Sequence, residues 1–332
     1  MATTFPLVSI IIPAYNRAAL VKETLDSILV QTYTNWECLV VDDHSTDETL
    51  EVLNKYSEID KRVKVYKRPS TTLKGACSCR NYGFEKSRGQ YVVYFDSDDI
   101  MCKDYIYKQY ENCLNNNALF SICKFSTFNN NGKILVKESK LYHKNLLEDF
   151  IIKRIKVNTP TLFLHRDVIK EIPYDETLMK AQDLDFIYRV FLNFAAAGCI
   201  LNEVLVKVRI HDNRITASYK NFDLQPLLSS IEVKWRILKD TKGTVDSQIF
   251  LEVKNIFISE LKLILFRGHF NTFYQYLNKA LVKGYLSKKE YLLICGKYGF
   301  QSLYKIPKGI LKRSNTLKLV RRKVTNMLKN DS

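Results

Sequence analysis

The first hundred residues alternate between two hydrophobic periods. LVSIIIP (7–13) is a continuous apolar run of strand length. AALVKETLDSILVQ (18–31) instead spaces Leu20, Val21, Leu25, Ile28 and Leu29 along one helical face. WECLVVDD (36–43) reads as a second strand, and STDETLEVLNKY (45–56) opens with S/T-x-x-E capping chemistry ahead of an amphipathic helix. RVKVYKR (62–68) predicts a third strand, GACSCRNYGFEKSRG (75–89) a helix, and YVVYF (91–95) a fourth strand. Strands joined to helices by short links predict an α/β fold, with a mostly parallel, Rossmann-like central sheet flanked by helices. From about residue 221 the pattern turns helical in LQPLLSSIEVKWRILKD, DSQIFLEVKNIFISELKLILFRGHF and FYQYLNKALVKGYLSKKEYLLICGKYGF. The expected organisation is an α/β domain over 1–220 and a helical, basic region over 221–332.

Composition narrows the class. With 46% hydrophobic and 26% charged residues the chain is globular. No uncharged apolar run reaches the length of a membrane span, and MATTFPLVSIIIP lacks the basic start and cleavage site of a signal peptide. The eight cysteines are scattered, with Cys77 and Cys79 as C-x-C and no C-x-x-C pair, so reduced, buried thiols of a cytosolic protein are expected rather than a zinc site. The net charge is +16, and residues 301–332 hold nine Lys or Arg against one acid, Asp331. Basic residues interleaved with Leu, Ile, Val and Tyr suit an anionic membrane surface, or else a solvated helical face. No DNA- or RNA-binding motif accompanies the charge, so nucleic acid is not an expected partner.

In a sheet of this kind ligands bind beyond the carboxyl ends of the strands, which places Pro13–Asn16, Asp42–Asp43 and Asp96–Asp99 along one rim. Asp96, Asp98 and Asp99 crowd like charges, and ionising all three costs free energy unless a solvated turn or a bound cation holds them. Asp98 or Asp99 capping a helix from about 103 is the plainer explanation. There is no G-x-x-x-x-G-K-[ST], and no G-x-G-x-x-G follows the first strand, which argues against P-loop and dinucleotide sites. What remains is a stackable aromatic (Tyr15), an acceptor for base or ribose donors (Asp43), a cation (Arg80) and carboxylates suited to Mg²⁺ or Mn²⁺. Each has a plainer alternative: Tyr15 at the core's edge, Arg80 in a surface ion pair, Asp42 as a structural turn residue.

The blocks VSIIIPAYNR, LDSILVQTYTNWECLVVDDHSTDET, GACSCRNYGFEKSRGQYVVYFDSDD, AQDLDFIYRV and VRIHDN, in order from residue 7 to about 215, resemble glycosyltransferase family 2, whose members are inverting enzymes of GT-A fold. The resemblance implies a nucleotide-sugar half over about 1–100 and an acceptor half over about 101–220. It implies a UDP-linked donor, Mn²⁺ or Mg²⁺, and a saccharide or lipid-linked saccharide acceptor. Pro13 and Tyr15 would line the nucleoside pocket, Asp43 would contact the base and Arg80 the nucleotide. Asp96, Asp98 and Asp99 match the D-x-D region, with Asp98 or Asp99 as metal ligand. Asp183 matches the catalytic base, with Asp185 as its competitor, and His211 matches a histidine holding metal or diphosphate in some members. The absent Q-x-x-R-W of processive synthases favours transfer of a single sugar. Such enzymes often build surface polysaccharides, which implies a cytoplasmic protein, peripheral at the inner face of a membrane. A sugar nucleotidyltransferase, or a non-catalytic membrane- or nucleic-acid-binding protein retaining the fold, are the competing readings.

Overall fold

The computed structural model describes residues 5–141, 144–210 and 224–299. His211 and the basic segment 301–332 lie outside the described residues. The chain divides into two compact units, 1–220 and 221–332.

The first unit is built on one sheet. Strands β1 (Val8–Ala14), β2 (Trp36–Asp42), β3 (Val63–Lys67) and β4 (Tyr91–Tyr94) run parallel in the order β3-β2-β1-β4. Helices α1 (Val21–Leu29), α2 (Thr49–Ile59) and α3 (Ala76–Lys86) connect them. Val8, Ile10, Ile11, Ile12, Leu39, Val40 and Val41 are all fully buried, because helices cover both faces of β1 and β2. Gly83 permits one close approach: a Cβ there would sit 2.4 Å from Ile11 Cγ2, so α3 can press onto β1 only without a side chain.

Beyond β4 the sheet is mixed. It continues through β8 (Leu162–His165) and β6 (Phe120–Asn129) to β9 (Gly198–Ile210) and the two-residue β5 (Ile100–Met101), with β7 (Ile134–Val136) paired on β6. The β4–β8, β6–β8 and β5–β9 pairs are antiparallel, whereas β6–β9 is parallel. Helices α4 (Tyr105–Asn115), α5 (Leu146–Ile151), α6 (Arg166–Glu171) and α7 (Gln182–Phe194) complete the unit.

The S/T-x-x-E cap does not form. Helix α2 starts at Thr49, with Glu48 in the capping position and no side-chain cap bond. Ser45 and Thr46 bond instead to Asn16, and the Thr49 hydroxyl accepts the Arg17 N–H at 2.7 Å, stitching the β1–α1 loop to the β2–α2 loop. Tertiary partners outbid the local cap, since either arrangement satisfies the same hydroxyls.

The second unit contains α8 (Leu224–Thr241), α9 (Ser247–Phe266), α10 (Phe270–Val282) and α11 (Lys288–Ile294), followed by a π turn over Cys295–Gly299. The last of the three predicted helical stretches is two helices, split at Gly284 (φ 67°) and restarted by a Ser287–Glu290 capping box. Trp235 centres the core, its ring 5.6 Å from Phe257 and 5.2 Å from Tyr285. Among the described residues no helix is long and apolar enough to cross a membrane.

Candidate active site

The carboxyl ends of β1, β2 and β4 carry the rim. Tyr15 follows β1, is 39% exposed, and has Lys74 Nζ 4.1 Å from its ring centre. It is therefore no core aromatic. Pro13, half-buried at the end of β1, pairs in register with Val41. Asp43 is buried after β2, and Arg68 Nε donates to its Oδ1 at 2.5 Å while Arg68 Nη1 donates to the carbonyls of Pro69 and Thr72. Asp42 takes the Ser45 N–H in a tight turn, the structural part expected of it. His44 holds φ 60° and bonds the Arg68 carbonyl at 2.9 Å, so this loop closes on β3's exit.

The three carboxylates after β4 do not converge, because each faces a different donor. Among the described residues no group of three His, Cys, Asp or Glu side chains forms a ready metal cluster. Asp96 accepts from Arg80 Nη2 at 2.8 Å. Asp98 lies 3.5 Å from Arg17 Nε. Asp99 is buried, and its Oδ1 accepts the Arg209 N–H at 2.9 Å. Neither Asp98 nor Asp99 caps the next helix; α4 starts after Asp104. Arg209 also donates Nε to the Asp98 carbonyl at 3.0 Å and Nη2 to Glu23 at 2.7 Å, so the end of β9 clamps the acidic turn.

Arg80 is the junction of the site. Its side chain is only 5% exposed, which rules out a surface pair, and it reaches Asp96 and, through Nη1, Asp183 Oδ1 at 3.6 Å. Its guanidinium lies 4.9 Å from the Tyr174 ring centre, and its buried Nε has no hydrogen-bond partner among the described residues. Burial works against its charge, but Tyr174, Asp183 and Asp96 outweigh that and hold it firmly protonated. Burial pushes the Asp96 carboxyl up to about 6; Arg80 opposes this, while Asp183 and Asp98 add to it. Hard carboxylate oxygens fit a divalent cation, and Asp96 and Asp98 are the two that could hold one.

Asp183 sits in the first turn of α7, where the helix dipole favours a carboxylate. It is 49% exposed, and its Oδ1 accepts the Thr159 hydroxyl at 2.8 Å. Asp185 faces elsewhere, as helix geometry requires: it is fully buried and paired to Arg189 at 2.8 Å. The eight cysteines are free thiols, and burial pushes Cys77 and Cys79, on α3, up to about 12.

Arg17 and Arg209 lie inside the sequence blocks PAYNR and VRIHDN, yet nothing local distinguished them from solvated arginines. Thr159 and Tyr174 carry no sequence signal at all; only the fold brings them to Asp183.

The profile of "Glycosyl transferase family 2" matches residues 9–172. The putative teichuronic acid biosynthesis glycosyltransferase TuaG of Bacillus subtilis is 31% identical over 215 residues, covering 64% of this chain and 82% of that protein. The chain belongs to glycosyltransferase family 2. It is a glycosyltransferase, which sets aside the nucleotidyltransferase and non-catalytic readings. The Escherichia coli UDP-Glc:alpha-D-GlcNAc-diphosphoundecaprenol beta-1,3-glucosyltransferase WfgD is 32% identical over 171 residues, 51% of this chain and 64% of that one. Among solved structures, Staphylococcus aureus TarS 1-349 in complex with UDP-GlcNAc superposes with a TM-score of 0.60 at 19% identity, over 97% of this chain and 89% of that one. The mannosyltransferase PcManGT of Pyrobaculum calidifontis, in complex with GDP-Man and Mn²⁺, gives 0.56 at 16% identity, over 97% and 87%. These likenesses establish the GT-A fold for this family 2 enzyme. The profile match stops short of α7, so Asp183 rests on geometry.

Proposed function

We propose that this family 2 enzyme transfers one sugar from a UDP-linked donor to a hydroxyl of a saccharide or lipid-linked saccharide acceptor, with inversion at the sugar carbon. One observation carries the reading. A single buried guanidinium, Arg80, spans the donor-side Asp96 and the half-exposed Asp183. A carboxylate beside the acidic turn is where a base must stand to receive an acceptor's proton while the diphosphate leaves. The acceptor oxygen bonds to the anomeric carbon, the bond from that carbon to the diphosphate breaks with its electron pair on UDP, and Asp183 takes the proton. Asp96 and Asp98 would hold Mn²⁺ or Mg²⁺, which when bound offsets charge on the departing diphosphate. Arg80, placed between Asp96 and Asp183, offsets part of the repulsion between the two carboxylates.

Tyr15, Pro13 and Asp43 form the nucleoside side in this reading, with Asp43 oriented by Arg68. Asp99 belongs to the scaffold of the turn, so Asp98 is the ligand of that pair. His211 is proposed as a further metal or diphosphate contact. The UDP assignment draws on the UDP-Glc in the name of WfgD and the UDP-GlcNAc complex of TarS, against one GDP-Man complex. The undecaprenol-linked acceptor in the name of WfgD, with the basic segment 301–332, supports a cytoplasmic protein working at the inner face of a membrane. The test is thermal protection and turnover with UDP- and GDP-sugars, each with and without Mn²⁺. Metal-dependent protection by a UDP-sugar is expected; protection by GDP-sugars alone would overturn the donor assignment.

A further inference from the structure

We infer that Thr159 is a positioning residue for the base: its hydroxyl fixes one carboxylate oxygen of Asp183 and leaves the other to receive the proton. The inference rests on Asp183 being the base. Thr159 opens a short 3₁₀ turn (Thr159–Thr161) before β8 and is 1% exposed. That turn is held from α4, where the Tyr105 hydroxyl donates to the Pro160 carbonyl at 3.0 Å and Gln109 Nε2 donates to the Thr161 carbonyl at 3.0 Å. The hydroxyl is thus presented on a rigid mount.

The direction of the bonds follows from the donor inventory. An ionised carboxylate only accepts, so the Thr159 proton must point to Asp183 Oδ1, 2.8 Å away. The Tyr174 hydroxyl, 3.2 Å from Thr159 Oγ1, must then donate to that oxygen. Tyr174 is buried and stacked on Phe186 of α7 at 4.2 Å and 9°, so the relay is braced against the helix that carries Asp183. Arg80 Nη1 lies 3.6 Å from the same Oδ1 as an ion-pair partner. Among the described residues Oδ2 has no hydrogen bond. One oxygen is anchored and its partner is free, the arrangement a general base needs if proton transfer is to occur in one geometry.

The test compares Thr159→Val, Thr159→Ser, Tyr174→Phe and Asp183→Asn. The readout is UDP release from the UDP-sugar selected by the donor screen, with Mn²⁺ and water as acceptor, alongside UDP affinity by calorimetry. Thr159→Val should lower kcat roughly tenfold or more, the worth of one hydrogen bond to a charged group, with UDP affinity unchanged. Thr159→Ser should recover kcat to within about twofold, since it keeps the hydroxyl. Tyr174→Phe should lose less than Thr159→Val, because it leaves the donor to Asp183 in place. Equal defects in the Val and Ser variants, or a fall in UDP affinity matching the fall in kcat, would mean that Thr159 serves only the turn. A dead Asp183→Asn beside an unimpaired Thr159→Val overturns this inference alone. A fully active Asp183→Asn overturns the base assignment and this inference with it.

Discussion

The main chain of Arg209, near the end of β9, donates to the side chain of Asp99 at 2.9 Å, so the acidic turn after β4 is tied to the end of β9. Asp99→Ala should cost about 1–3 kcal/mol, the penalty for orphaning a buried N–H. It should lower the melting temperature while UDP affinity per folded molecule changes little. A variant as stable as the wild type but blind to Mn²⁺ would return Asp99 to the metal.

Asp98 is expected to behave oppositely. Its side chain keeps 18% exposure, with the Arg17 guanidinium 3.5 Å away. Asp98→Asn should keep the fold and abolish the gain in UDP affinity that Mn²⁺ gives. Calorimetric titration of UDP with and without the metal reads this directly. Metal-independent UDP affinity in the wild type would remove the reason for the cluster.

Asp183→Asn should slow turnover by roughly a hundredfold to ten-thousandfold, the usual worth of general-base assistance. Donor affinity should hold, because the base acts on the acceptor in the transition state. Asp185→Asn should act on stability instead. Its carboxylate is 1% exposed and paired with Arg189, and a broken pair there costs on the order of 3 kcal/mol. A stable but inactive Asp185→Asn would mean the two aspartates have been exchanged.

Glu37, on β2, supplies a pH signature of folding. It is 4% exposed and accepts from Lys64, from the Ser9 hydroxyl and from the Arg88 N–H. Burial alone would raise its pKa, but Lys64, Arg88 and Ser9 together hold it below 4.5. A depressed folded-state value stabilises the protein above the unfolded value and loses that stabilisation as pH falls through the folded one. Glu37→Gln should therefore cost about 1–3 kcal/mol at pH 7, with the gap narrowing in denaturation curves taken near pH 3. A gap constant across that range would show that charge is not what Glu37 contributes.

The segment from about 301 is expected to hold the protein on anionic bilayers, each basic residue near such a surface contributing about 1 kcal/mol. Cosedimentation with anionic and neutral vesicles, comparing the full chain with one ending at residue 300, measures it. Equal partitioning of both chains would leave the charge without a membrane role. Binding that survives high salt would point to apolar insertion.

The sequence by itself determined the elements and the rim. Val8–Ala14, Trp36–Asp42 and Tyr91–Tyr94 are mostly apolar runs of strand length linked through helices, the pattern of a parallel sheet, which brings Tyr15, Asp43 and Asp96 to one edge. Helix periodicity likewise fixed that Asp183 and Asp185 face apart. Tertiary structure decided what each polar group does there. Ser45 left its cap for Asn16, Asp99 turned to Arg209, and Thr159 reached Asp183 from 24 residues away. The physical reason is range. Burial periodicity is written in neighbouring residues, whereas a hydroxyl or carboxylate takes whichever donor the packing brings within about 3 Å, and that partner is chosen by the fold.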